Sequence, residues 1–124
     1  MLPDQMMFIG TGVDITEVRR IRSAVEKWGD DFLRRVFTDS ELKNAKTKNS
    51  FYQHLAGRFA AKEAIFKAVG DSSLSWKDIQ INNDQTGKPV CLFLNGRGRH
   101  INVSISISHV KTYAVASAVV TKES

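Results

Sequence analysis

The first half of the chain carries apolar residues at the spacing of a helix. In residues 16–28 they stand three or four positions apart, and basic side chains occupy the other faces. We therefore predict an amphipathic helix over residues 16–28 that ends at Gly29. The apolar positions are Val18, Ile21, Val25 and Trp28.

Two more helices are predicted from their end signals. Thr38 followed by Glu41 is a capping box, which predicts a helix that runs to about Lys46. Residues 50–69 contain no proline and a single internal glycine, and they are rich in Ala, Phe and Leu. This segment predicts the longest helix of the chain, with Gly70 at its C-terminal end.

The second half of the chain is dominated by short segments of β type, separated by turn residues. The predicted strands cover residues 76–82, 89–94, 101–108 and 113–121. The last two strands form a hairpin around residues 109–112, and residues 7–13 add a short strand at the start. This order predicts one α+β domain over residues 1–124, in which helices pack on an antiparallel sheet.

Length, cysteine content and charge narrow the class of protein. The 124 residues suit one domain, and no apolar run approaches the length of a membrane span. The single cysteine, Cys91, cannot form an internal disulfide, so we expect a reducing compartment and a cytoplasmic protein. The net charge of +5 suits a polyanion or an acidic protein partner, although a solvated surface with a modest bias explains it equally well.

Asp14, Glu63 and Lys67 are the candidates for chemistry. Glu63 and Lys67 are four residues apart and share one face of the long helix, as do Arg58 and Lys62 on a second face. Charged residues on so apolar a helix need a partner or a metal ion if they are buried. The plainer interpretations are an ordinary helix ion pair for Glu63 with Lys67 and a helix N-cap for Asp14.

Three weaker signals favour structural roles. Gly10 and Gly12 lack the lysine and the third glycine of phosphate-binding loops. The serines at 104, 106 and 108 alternate with isoleucines, as expected for the polar face of a strand rather than for a nucleophile. His109 in a hairpin turn is by default an exposed histidine, and Gly87 and Pro89 by default mark a turn into a strand.

Read in order, six segments nevertheless resemble one family. They are G-T-G-V-D-I-T-E-V-R-R-I at 10–21, R-V-F-T-D-S-E-L at 35–42, L-A-G-R-F-A-A-K-E-A-I-F-K-A-V-G at 55–70, W-K-D-I at 76–79, G-K-P at 87–89, and V-S-I-S-I-S-H with Y-A-V-A between 103 and 116. The chain resembles the holo-acyl-carrier-protein synthases, the small 4′-phosphopantetheinyl transferases, from about Phe8 to Val120.

The resemblance implies a reaction and a metal. The family moves the phosphopantetheine arm of coenzyme A to a serine of apo-acyl carrier protein, leaves adenosine 3′,5′-bisphosphate, and supports fatty acid biosynthesis. By similarity, Asp14 and Glu63 match the metal-binding residues for Mg²⁺, and Lys67 matches the active-site lysine. The base that accepts the serine proton is left open among a metal-bound water, Glu63 and Lys67.

The resemblance also implies contacts and an assembly. Arg58, Lys62 and His109 match basic groups around the phosphates of coenzyme A, and Gly87 and Pro89 match the loop that meets its adenosine. Arg20 lies on the helix that resembles the carrier-docking helix, and its basic character suits an acidic carrier protein. The implied state is a homotrimer with sites between subunits, which binds neither nucleic acid nor membrane.

Two other functions are weighed against this one. A basic nucleic-acid-binding module would explain the charge, but its aromatic residues lie at the helical spacing of a core and no RNA-binding motif is present. A relative that binds coenzyme A without transferring its arm is the second alternative. The chain departs from many relatives in its short loop at 71–75 and at Gln53 and His54, where a glutamate and an apolar residue are common.

Overall fold

The computed structural model describes residues 6–123 and has an α+β architecture. A first strand leads into four helices, and a single turn of 3₁₀ helix leads into four further strands. The elements are β1 Met6–Glu17, α1 Val18–Trp28, α2 Asp30–Val36, α3 Asp39–Lys46, α4 Phe51–Val69, the 3₁₀ turn Trp76–Asp78, β2 Ile79–Asn83, β3 Pro89–Phe93, β4 Ile101–His109 and β5 Tyr113–Glu123.

The strands form two antiparallel sheets rather than the single sheet that the sequence predicts. β5 is the central strand of the larger sheet, with β1 on one side and β4 on the other, and the predicted hairpin of β4 with β5 is confirmed. Among the described strands, β2 and β3 pair only with each other. The predicted α+β class is therefore confirmed, with its sheet divided in two.

The larger sheet has one covered face and one open face. Alternate residues of β5 point towards α4 and are almost completely buried: Ala114, Ala116, Ala118 and Val120. The residues between them face solvent, and so do the alternating serines of β4, as predicted for a polar strand face. The open face also carries exposed apolar side chains, among them Val13, Ile15, Val115 and Val119.

Gly10 and Gly12 allow β1 to approach the backbone of α4. A Cβ atom on Gly10 would lie 2.5 Å from the carbonyl oxygen of Ala68, and one on Gly12 would collide with the carbonyl oxygen of Ala64. No side chain larger than hydrogen fits between these two elements. The glycine pair therefore has a packing role, which agrees with the prediction that it is not a phosphate-binding loop.

Two apolar clusters share α4. One joins the C-terminal part of α4 to both sheets through residues such as Ile65, Ile81 and Ile105. The other joins its N-terminal part to α1, α2 and α3 through residues such as Leu55 and Phe37. Because both cores depend on α4, side chains on this helix are held in fixed positions. No helix within residues 6–123 is both long and apolar enough to cross a membrane.

Several predicted boundaries are wrong, mainly because β1 is longer than the sequence predicts. β1 continues to Glu17, so α1 begins at Val18 rather than at residue 16. In the second half of β1 the apolar side chains point outward and Asp14 and Thr16 point inward, the reverse of the usual strand pattern. Residues 76–78, predicted as the start of a strand, form the 3₁₀ turn. Residues 1–5 and 124 of the predicted domain lie outside the described residues, and its extent stays a prediction.

Candidate active site

Asp14 lies on β1 and faces α4. It pairs with Ala116 in the register of the sheet, and its side chain is 16% exposed. The Thr16 hydroxyl donates a hydrogen bond of 2.7 Å to its Oδ2 atom. Asp14 is thus a strand residue held by its neighbour, and the prediction that it caps a helix is wrong.

Lys67 connects α4 to the same point of β1. Its Nζ atom lies 3.4 Å from Oδ1 of Asp14 and donates a hydrogen bond of 3.0 Å to the carbonyl oxygen of Val13. The lysine side chain remains 54% exposed, so its ammonium group is open to a ligand. Lys67 therefore forms an ion pair between elements, in place of the simple pair along the helix.

Glu63 completes this group one turn earlier on α4. Burial raises the pKa of its carboxyl group, the negative charge of Asp14 raises it further, and Lys67 acts in the opposite direction. Two carboxylates and one ammonium group therefore stand together with a net negative charge. Within residues 6–123, no three His, Cys, Asp or Glu side chains gather into a complete metal site. Any cation held here would need further ligands from water or substrate.

A cleft of about 340 Å³ lies beside the N-terminal half of α4. It contains four of the five residues predicted to contact the cofactor, all except Lys62. Basic side chains line it, and none of its lining residues carries a carboxylate. The lining residues are Lys48, Ser50, His54, Gly57, Arg58, Asn83, Gly87, Pro89, Ile107 and His109.

Arg58 is the most deeply placed charge of the cleft. It is only 5% exposed, and its Nη2 atom donates a hydrogen bond of 3.0 Å to the amide oxygen of Asn83. In the described part of the chain its Nε atom is buried without a hydrogen-bond partner. Burial lowers the pKa of the guanidinium group, and the negative charge of Glu41 acts in the opposite direction. A buried guanidinium with a neutral partner and a free donor group has capacity for an anion. Arg58 precedes Glu63 by five residues, or about 7.5 Å along the helix axis.

Lys62 lies in the interior, although the sequence predicts it beside the cofactor phosphates. Its Nζ atom forms an ion pair of 2.8 Å with Glu41 and donates hydrogen bonds to the carbonyl oxygens of Val36 (2.8 Å) and Trp76 (3.0 Å). These three contacts occupy all three of its hydrogen atoms. Lys62 therefore joins three segments of the fold and is not part of the cleft.

Sequence reasoning missed Lys48 and His54. Lys48 comes from the loop before α4, and His54 stands four residues before Arg58 on the same helix face. Burial, together with the positive charges of Arg58, Lys48 and His109, lowers the pKa of His54 to about 4. The spacing of His54 from Arg58 is a signal that could have placed it in the cleft.

Arg20 and the aromatic residues lie away from this chemistry. Arg20 is exposed on α1, as the predicted docking role requires. Phe59 stacks on Trp76 with ring centroids 5.0 Å apart, and both pack against the apolar core. Phe51 and Tyr52 pack against the same core. The aromatic side chains of α4 that could have served nucleic-acid binding are thus part of the core, which weakens that alternative.

The comparisons with known proteins agree with this geometry. The family model of the 4′-phosphopantetheinyl transferase superfamily matches residues 10–118. A curated holo-[acyl-carrier-protein] synthase of Chlorobaculum tepidum is 44% identical over 110 residues, covering 86% of this chain and 93% of the relative.

Solved structures give the same result. A Bacillus anthracis holo-(acyl-carrier-protein) synthase in complex with CoA (3′,5′-ADP) matches with a TM-score of 0.78 and 41% identity, covering 94% of this chain and 98% of that one. The Helicobacter pylori enzyme in complex with coenzyme A matches with a TM-score of 0.79 and 34% identity, covering 89% and 98%. The chain belongs to the 4′-phosphopantetheinyl transferase superfamily.

Proposed function

We propose that this protein is a holo-acyl-carrier-protein synthase. It transfers the 4′-phosphopantetheine arm of coenzyme A to a serine hydroxyl of apo-acyl carrier protein and releases adenosine 3′,5′-bisphosphate. The observation that carries the proposal is the arrangement on α4. An acid-free basic cleft at Arg58 stands about 7.5 Å along the helix axis from the group of Asp14, Glu63 and Lys67.

The reaction replaces the phosphoanhydride bond of the coenzyme A diphosphate with a phosphoester bond to serine. The serine oxygen bonds to the phosphorus that carries the pantetheine arm, and the bond from that phosphorus to the bridging oxygen breaks. The bridging oxygen leaves on adenosine 3′,5′-bisphosphate, and the serine proton leaves to Glu63 or to a water molecule beside it. Such a transfer depends mainly on alignment and on neutralising charge.

Asp14 and Glu63 fit a Mg²⁺ site. Both offer anionic oxygen atoms, and burial together with the charge of Asp14 raises the pKa of Glu63, a state that a hard cation between the two carboxylates would relieve. When bound, the metal supplies charge neutralisation and orientation for the diphosphate. The exposed ammonium group of Lys67, fixed by Asp14 and Val13, contributes a second positive charge for a phosphate oxygen.

The cleft suits the adenosine end of coenzyme A with its 3′-phosphate. Arg58, Lys48 and His109 supply positive or donor groups, and Gly87 and Pro89 supply a wall without charge. Arg58 is already buried and needs an anion as its partner. These residues bind and orient the substrate, and they take no part in bond making.

The open sheet face supports an assembly. Val13 and Ile15 are 58% and 67% exposed, and they lie beside exposed apolar residues of β5. Monomeric proteins seldom leave a contiguous apolar surface of this kind uncovered. We propose that this face is covered in a homotrimer with sites between subunits. Carrier docking at Arg20 on α1 and a role in cytoplasmic fatty acid biosynthesis belong to the same proposal, as the resemblance to the family implies.

The test is a mass measurement on the acceptor. Apo-acyl carrier protein, coenzyme A and Mg²⁺ are incubated with the full chain, and the carrier should gain the mass of one phosphopantetheine arm. A carrier with its acceptor serine changed to alanine is the control and should gain nothing. If several apo-carriers stay unmodified while adenosine 3′,5′-bisphosphate binds, the protein is a binding-only relative.

A further inference from the structure

We propose that His54 takes up a proton when a phosphate group enters the cleft, and that it then acts as a positive charge there beside Lys48 and Arg58. The proposal rests on the proposed function, because that function places a phosphate of coenzyme A in this cleft. It adds a specificity-determining residue whose charge state depends on the ligand.

The position of His54 carries the first part of the argument. Its side chain lines the cleft one helical turn before Arg58. Its Nε2 atom is buried and has no hydrogen-bond partner within residues 6–123. An imidazole nitrogen in that state costs free energy unless a ligand supplies a partner. A protonated imidazole donates from both nitrogens, which suits a phosphate with its acceptor oxygens.

The charges around His54 carry the second part. Lys48 faces it from the loop before α4, Arg58 from α4 itself, and His109 from the end of β4. The end of β2 contributes Asn83 to the cleft, the loop that follows contributes Gly87 and the start of β3 contributes Pro89, and none of these side chains titrates. The N-terminus of α4 adds a partial positive charge, since its Ser50 side chain forms no capping hydrogen bond.

An unoccupied cleft therefore keeps His54 neutral. Burial and the surrounding positive charges lower its pKa to about 4, so that it carries almost no proton at neutral pH. A phosphate dianion reverses the sign of the local charge and supplies an acceptor. Both changes favour the protonated ring, and binding must then be accompanied by net proton uptake.

The sign of the pH dependence follows. Between the low pKa of the free protein and the higher pKa of the complex, the complex holds a proton that the free protein lacks. Binding should tighten as the pH falls through this window. If the complex restores an ordinary histidine pKa, affinity should gain about tenfold between pH 7.5 and pH 5.5 relative to a variant without the imidazole.

The experiment measures proton uptake directly. Adenosine 3′,5′-bisphosphate is titrated into the full chain by calorimetry at pH 6, in buffers of different ionisation enthalpy. Wild type is compared with His54→Gln and with His100→Gln, in which the replaced histidine is exposed on the turn before β4. Protonation of the ligand itself is common to all three proteins and cancels in the differences.

For each ligand bound, wild type and His100→Gln should take up at least roughly half a proton more than His54→Gln does. Equal uptake in all three proteins would overturn the proposal. The ring signals of His54 in wild type, followed by NMR with and without the ligand, give a readout that needs no variant. Their titration midpoint should move upward on binding, and an unmoved midpoint would also overturn it.

Two further probes separate this proposal from the proposed function. Inorganic phosphate should reproduce the difference in uptake, whereas adenosine without phosphate should not; the reverse result would contradict the charge argument. If adenosine 3′,5′-bisphosphate fails to bind wild type at any pH between 5.5 and 7.5, the assignment of the cleft fails and the proposed function with it. Binding without a His54-dependent proton overturns only the inference about His54.

Discussion

Arg58 and Lys62 stand one turn apart on α4, and both are buried cations, yet their direct contacts differ. Lys62 forms an ion pair with Glu41 and donates hydrogen bonds to two carbonyl oxygens. The charge of Glu41 also acts on Arg58, but the hydrogen bond of Arg58 goes to one neutral amide oxygen, beside a cleft whose lining residues carry no carboxylate. Removing one partner of a buried ion pair is costly, whereas a buried guanidinium without a direct carboxylate contact is suited to binding an anionic ligand.

Breaking the buried ion pair of Lys62 with Glu41 should have the largest effect on the free energy of unfolding. Lys62→Met leaves Glu41 as a buried carboxylate without its cation, and such a loss costs about 3–5 kcal/mol in the free energy of unfolding. Denaturant unfolding measures it, with Lys43→Met on the exposed face of α3 as the control. The double variant Lys62→Met with Glu41→Gln should recover part of the loss, because it removes both charges. A stability equal to wild type in the single variant would contradict the structural role of Lys62.

Changes at the carboxylate pair should have the next largest effect, on turnover instead of stability. Asp14→Asn or Glu63→Gln leaves an amide where a hard cation needs an anionic oxygen. We expect kcat for carrier modification to fall about 100- to 1000-fold, similar to the loss of a strong electrostatic contact in other enzymes. Steady-state kinetics at saturating coenzyme A measure kcat, and unfolding curves should stay close to wild type. Near-normal rates at limiting Mg²⁺ would show that the metal lies elsewhere.

The sequence predicts part of this contrast and misses the rest for a physical reason. Four residues advance a helix by about 400°, so that Arg58 and Lys62 point in nearly the same direction and look equivalent in a helical projection. What separates them is tertiary: α3 and the 3₁₀ turn cover Lys62, while the cleft opens at Arg58. The capping box of Thr38 and Glu41 predicted a helix start, which is confirmed. It gave no sign that Glu41 would also be the buried partner of Lys62.

Asp14 and β1 likewise show what local sequence patterns predict and what depends on tertiary contacts. Asp14 and Lys67 are 53 residues apart in the chain, and only the resemblance to a family placed them together. Their proximity depends on the two glycines that bring β1 against α4, a long-range fit that local patterns do not contain. The apolar side chains of β1 face outward, on a side of the sheet that the described residues leave uncovered. The usual pattern of a half-buried strand is therefore reversed there, and the sequence predicts the end of β1 as the start of a helix.

Arg58→Met should weaken substrate binding with little loss of stability. A charge-assisted contact to phosphate contributes about 1.5–3 kcal/mol, so KM for coenzyme A should rise on the order of tenfold to a hundredfold. The free energy of unfolding should change much less than in Lys62→Met, because Arg58 forms no direct ion pair within residues 6–123 and its loss leaves only the exposed Asn83 amide without its donor. Kinetics and unfolding are measured on the same preparation. A large loss of stability with unchanged KM would make Arg58 resemble Lys62 and would remove the distinction between them.

The smallest expected effect concerns His54 in the ligand-free protein. Its folded pKa of about 4 lies below its ordinary value of 6.5, so the unfolded chain binds the proton more readily. Titration of the imidazole therefore leaves the free energy of unfolding unchanged above about pH 6.5. As the pH falls towards 4, proton binding by the unfolded chain lowers that free energy. Relative to wild type, His54→Gln should gain about 1 kcal/mol in the free energy of unfolding between pH 7 and pH 4.5, after allowance for solvent screening of a partly exposed side chain. Urea unfolding at both pH values measures this gain, and His100→Gln is the matched control because its imidazole is exposed. Saturating adenosine 3′,5′-bisphosphate should largely abolish this gain, since the bound phosphate restores the affinity of the ring for its proton. A gain that is the same with and without this ligand would mean that His54 does not sense the charge in the cleft.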